Sequence, residues 1–96
     1  MKILITQTVN NDIHNQYIGK YLDDETKTAS CSYMYGGTES LQLFKDDDIS
    51  IDVEALNLKT PLLIGITYNI EGLLRIKAQN TKQGVLINAT KIEIIK

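Results

Sequence analysis

Tryptophan is absent, and cysteine, histidine, proline and phenylalanine occur once each in 96 residues. Each scarcity excludes something. One cysteine, Cys31, rules out an intrachain disulfide, which fits a reducing compartment and a cytoplasmic location. One histidine and one cysteine are too few for a zinc site, which takes four ligands, usually drawn from these two residue types. Nucleophilic catalysis needs a nucleophile, a base and a group orienting that base. His14 lies in a polar stretch and Cys31 in an apolar-faced strand, so a surface imidazole and a structural thiol are the better readings, and the chain is not expected to be an enzyme. No cofactor or metal is expected. One proline and six glycines leave no linker-like stretch, so one domain over residues 1–96 is expected.

Long apolar runs are missing too. No window approaches the roughly 20 apolar residues of a membrane-spanning helix. The opening Ile3-Leu4-Ile5 is interrupted by Thr6, Gln7 and Thr8 and cannot serve as a signal-peptide core. No membrane partner is expected. Hydrophobic residues are 43% and charged residues 23% of the chain, which is ordinary for a folded domain and argues against disorder. The net charge of −2 is unevenly laid out. Residues 1–57 carry ten acids and four bases, whereas residues 58–96 carry two acids and six bases. A mildly acidic chain thus ends in a locally basic segment, and local potential counts more than the total.

What is present is period-2 alternation, the signature of strands. Ile3, Ile5 and Val9 fall on one face of a first strand. Residues 13–22 fit a short helix through Ile13, Tyr17, Ile18, Tyr21 and Leu22, with a strand as the alternative because of Gly19. Residues 27–35 place Ala29, Cys31, Tyr33 and Tyr35 on one face and Thr28, Ser30, Ser32 and Met34 on the other. Gly36-Gly37 reads as a hairpin turn, with a return strand over 40–45. Residues 49–56 alternate most cleanly, with Ile49, Ile51, Val53 and Ala55 inward. Residues 62–70 are nearly apolar on both faces and read as a central strand ended or bulged at Gly72. Residues 73–79 follow, with Leu74, Ile76 and Ala78 inward. Residues 85–95 form the last strand, with a break weighed near Asn88. Six or seven short strands with turns about every ten residues predict an all-β fold, with at most one short helix.

The acidic stretches Asp23-Asp24-Glu25 and Asp46-Asp47-Asp48 read as solvated turns. The second lacks the alternating spacing of a calcium loop, and its charge blunts a sheet edge. Gly36-Gly37 is not a phosphate loop, since no lysine follows it.

One constellation points to a function. Ile70-Glu71-Gly72 precedes an alternating strand, Lys82-Gln83-Gly84 ends a polar hairpin loop, and Ala89-Thr90-Lys91-Ile92 runs into the final alternation. Residues 70–95, about a quarter of the chain, resemble the end of the OB-fold domain of bacterial single-stranded-DNA-binding proteins. The resemblance implies a small OB-like barrel, closed or partly open, whose last hairpin loop helps to grip a strand. Gripping a strand takes cations along the backbone path and rings on which bases stack. Arg75 and Lys77 on one outward face and Lys82 in the loop are the expected cations; Tyr33, Tyr35 and Phe44 are the expected rings. Tyr33 and Tyr35 compete with a core role, and Tyr68, alternating with Ile64, Ile66 and Ile70, reads as core.

Two functions from different classes follow. The first is a single-stranded nucleic-acid-binding accessory protein, of the kind a phage or mobile element encodes. The second is a protein-interaction module, a small inhibitor or oligomer subunit, with an acidic binding surface or a strand edge open to a second copy.

Overall fold

A computed structural model describes residues 1–9, 16–33, 35–54, 61–77 and 84–96, with Tyr33 given by its backbone alone. Seven strands form: β1 (Lys2–Thr8), β2 (Gln16–Tyr21), β3 (Lys27–Tyr33), β4 (Gly37–Leu43), β5 (Asp48–Glu54), β6 (Thr67–Ile76) and β7 (Val85–Ile95). The described residues contain no helix.

Ladder partners run in the order β1-β2-β5-β7-β6-β3-β4, and an additional β1–β6 pairing closes a ring. The ring β1-β2-β5-β7-β6 is a five-stranded barrel, antiparallel except for the parallel β5–β7 pair. Closure of this kind is the OB-like solution to the problem of sheet edges. The β3–β4 hairpin is inserted between the second and third barrel strands. It docks on β6 through a single parallel bridge, Ser30↔Arg75, beyond the stretch of β6 that β1 covers.

Alternation builds the core. Tyr17 and Tyr21 of β2, Ile49, Ile51 and Val53 of β5, and Val85 and Ile87 of β7 point inward and are buried. Ala29 and Leu43 are also fully buried in this cluster, so the hairpin is part of the barrel's packing. Two buried phenols do structural work from inside. Tyr17 Oη accepts from Leu62 N at 2.9 Å, and Tyr68 Oη accepts from Leu63 N at 2.9 Å. Both satisfy backbone donors in a segment that has no ladder partner to do so.

Several expectations are corrected. Residues 16–21 are a strand, because Tyr17 and Tyr21 face inward together with Gly19 between them, at period 2. Val9 does not join Ile3 and Ile5 inside. The β1–β2 register slips between Ile5 and Gln7, and Val9 is partly exposed beyond the strand. A one-residue slip turns every later side chain to the other face.

The strand expected over 62–70 begins only at Thr67. Leu63, Ile64 and Gly65 form a turn in which Gly65 has φ +86° and Ile66 N donates to Leu63 O at 3.3 Å. Leu63 and Ile64 are therefore exposed. Of the two readings of Gly72, a strand end and a bulge, the bulge holds. β6 runs through it, and the register with β7 shifts between Glu71 and Gly72, which leaves Thr90 as the extra residue of a bulge. β7 is likewise unbroken at Asn88. The return strand of the hairpin spans Gly37–Leu43 rather than 40–45. Expectations for Ile13, His14, Met34, Ala55, Ala78 and the loop tip with Lys82 lie outside the described residues.

Candidate nucleic-acid interface

Inward residues fix the outward ones by alternation, and cross-strand partners share a face. Ile76, Val85, Ile87, Ile51, Val53, Tyr17 and Ala29 are buried. Their neighbours therefore point out, and the ladders join six of them edge to edge: Gln16, Asp52, Leu86, Arg75, Ser30 and Ser40. At about 4.8 Å per strand, this row crosses six strands over roughly 24 Å.

Arg75 sits near the middle of the row and is exposed. Toward the hairpin it meets hydroxyl and amide groups only. Thr28, Ser30 and Ser32 of β3 share the outer face with their partners Gln42, Ser40 and Thr38 of β4. Among the described residues no carboxylate lies in the row itself from Leu86 to Ser40; farther along the same face β6 carries Glu71 and β7 carries Glu93. Glu39 partners Cys31, which places it on the opposite side.

Toward β5 the row changes character. Lys77 Nζ lies 2.6 Å from Asp52 Oδ1 and 3.4 Å from Ser50 Oγ. Both partners are mostly buried, with side chains 17% and 24% exposed. The Asp52 oxygen has no well-aligned hydrogen bond, so the contact is an ion pair made by distance. Lys77 N also donates to Gly84 O at 3.0 Å, which fixes the base of the β6–β7 loop. Lys77 is therefore on the expected face but not a free cation: its charge is offset by Asp52.

Two of the expected rings, Tyr35 and Phe44, do not converge on Arg75. Tyr35 leaves the strand face assigned to it and lies in the hairpin turn, 96% exposed. Phe44 lies just past the other end of β4, 49% exposed. The seven residues of β4 separate them by about 20 Å at strand rise. Phe44 also sits in an acidic turn, where its N–H donates to Asp47 Oδ2 at 3.3 Å and its carbonyl accepts from Asp47 N at 3.1 Å. Tyr68 is core, as its alternation implied. The Tyr33 side chain and Lys82 lie outside the described residues.

The chain brings its two acidic stretches together at another place. Asp46 N donates to Tyr21 O at 2.7 Å and Tyr21 N to Asp47 O at 3.0 Å, which sets residues 46–48 beside residues 23–25. Lys45 Nζ pairs with Asp24 Oδ1 at 2.8 Å. The hydrogen bond to Lys45 holds the Asp24 carboxyl below its usual range, and the same contact raises Lys45. The terminal amine reaches Asp23 at 3.9 Å. The Tyr21 hydroxyl donates to the Glu25 carbonyl below, and burial pushes its pKa up, helped by Asp23 and Glu25. Among the described residues no group of three or more acidic, histidine or cysteine side chains is arranged to hold a metal ion.

The hydroxyl row was missed by sequence reasoning, although its signal was present. Thr28, Ser30 and Ser32 alternate with Ala29 and Cys31 as plainly as any core strand does. Comparison of the chain with protein-family models, curated proteins and solved structures gives no match.

Proposed function

We propose that this chain is a single-stranded nucleic-acid-binding protein, with the strand lying across the outer row from Leu86 to Ser40. The observation that carries the reading is Arg75 exposed beside Thr28, Ser30, Ser32, Thr38, Ser40 and Gln42, with no carboxylate among the described residues of the row from Leu86 to Ser40. Guanidinium, hydroxyl and amide groups are donors that hold phosphate and sugar without reading sequence. The OB-like barrel and the resemblance of residues 70–95 to single-stranded-DNA-binding proteins support it. The ring contribution reduces to Tyr35 at the hairpin tip, and one stacked base is worth ~1–3 kcal/mol. Binding is accordingly weak and not sequence-specific.

Fluorescence anisotropy with labelled poly-dT at low salt tests this. Wild type binds, and Arg75→Glu binds measurably more weakly. No binding to any single strand at low salt eliminates the reading.

A second reading, a protein-interaction module, is favoured by one observation: the joining of Asp23, Asp24 and Glu25 to Asp46, Asp47 and Asp48 at one end. Such an end suits a basic protein surface. Pull-down with wild type against a charge-neutralised Asp46→Asn/Asp47→Asn chain distinguishes it, since only wild type retains a basic partner.

A further inference from the structure

We propose that the protein is a two-fold dimer in which the β4 edge of one copy pairs antiparallel with the β4 edge of another. This inference is independent of the nucleic-acid reading. It starts from the ladder order: β4 stands at the end, paired to β3 on one side and, among the described residues, to no strand on the other. Residues 37–40 and Gln42 are exposed.

An edge of this kind invites another strand unless something blunts it. Proteins use proline, lysine, bulges or short length. β4 has none of these. It pairs with β3 over seven consecutive residues without a register shift, and its sequence Gly-Thr-Glu-Ser-Leu-Gln-Leu holds one charge. The contrast lies within the same sheet. Among the described residues, 89–95 of β7 pair only with β6, yet that edge carries the Thr90 bulge with Lys91 and Glu93. Of these two edges, unpaired among the described residues, the β7 edge is protected and the β4 edge is not.

The edge is complementary to itself, which favours a second copy over a foreign peptide. A two-fold axis perpendicular to the sheet opposes only residues on the same face. Centring on Glu39 would oppose two carboxylates and is disfavoured. Centring on Ser40 sets Ser40 against Ser40, Thr38 against Gln42, and Glu39 of one copy against Leu41 of the other. All repulsion is then relieved, and the outward hydroxyl faces join into one surface. The two Arg75 side chains stand about 24 Å apart along it, at five strand spacings.

Sedimentation velocity of the full chain tests this with Ser40→Lys and Ser40→Glu, both outward and outside the core. Wild type runs at the mass of two copies. Each variant alone runs as one copy, because like charges oppose across the axis, and an equal mixture of the two variants restores the dimer. A wild-type chain that stays monomeric at its highest soluble concentration overturns the proposal, even if it accepts a foreign extended peptide. So does a dimer that persists in both variants, because its seam lies elsewhere. Should the variants misfold, hydrogen exchange on wild type decides. Protection of the residue 38–42 amides rises with protein concentration if β4 is the seam, and unchanged protection overturns it.

Discussion

At the scale of single residues, two phenol groups tie the apolar barrel interior to the backbone of residues 62–63. Tyr17 is 1% exposed, and burial raises its pKa above the ordinary value of 10.0, only partly offset by its bond to Leu62. Tyr21 shifts the same way. A raised folded-state pKa means the unfolded chain releases these protons first. Their neutral forms therefore contribute fully below pH 10.0, and stability falls as pH rises beyond it. Tyr17→Phe leaves Leu62 N–H without its partner in a buried place, at a cost of about 1–2 kcal/mol near neutral pH. Denaturant melts of the variant, run at neutral and alkaline pH, show lower stability at neutrality and a shallower alkaline decline. Lys77 and Asp52 make a second residue-scale case. Removing one partner strands a charge that is mostly out of water, so Lys77→Gln destabilises by about 1–2 kcal/mol. Adding Asp52→Asn to that variant returns part of the loss in a double-mutant cycle; a purely additive result means that the pair is not coupled.

At the scale of elements, the bulge where β6 crosses β7 bends the wall. A Cβ built on Gly72 falls 2.0 Å from Asn88 O and 2.9 Å from Ala89 Cα, so backbone would have to move to admit it. Gly72→Ala is therefore expected to destabilise by about 2–3 kcal/mol, within the usual range for overpacking. Thermal unfolding followed by circular dichroism checks this, and a neutral result would show that the two strands separate there easily. This element also marks how far the sequence could be read. Strands with one wet face were plain: the 49–56 alternation became β5 and the 85–95 alternation became β7. The all-apolar run at 62–64 misled, because its backbone donors are met by two tyrosine hydroxyls, Tyr17 from distant β2 and Tyr68 from the β6 strand that follows, rather than by a ladder. The faces after the β1–β2 slip misled as well, because one extra residue inverts a period-2 pattern without changing composition. In the site, Arg75 and Lys77 were legible as outward neighbours. The capture of Lys77 by Asp52 was not, because their contact joins positions 25 apart in sequence through the β5–β7–β6 ladders. Tyr35 and Phe44 were separated by where the hairpin turned, a matter of two residues at each end.

At the scale of the whole molecule, charge is partitioned. Six carboxylates gather where residues 23–25 meet residues 46–48, whereas the outer row keeps Arg75 exposed and offsets Lys77 against Asp52. A strand bound along that row meets few free cations. Each phosphate neutralised on a single strand contributes about −0.7 to the slope of log affinity against log salt. With Arg75 as the contributor on the described row, the expected slope for poly-dT is about −0.7. Arg75→Gln should bring it close to zero, while Lys77→Gln, once corrected for its loss of stability, leaves it unchanged. Anisotropy titrations at several salt concentrations supply all three slopes. A wild-type slope steeper than about −3 would require cations well away from the row and would move the strand to another path on the barrel. Equal losses for Arg75→Gln and Lys77→Gln would mean that Lys77 leaves Asp52 when the strand arrives, so that the ion pair stores a cation for the bound state.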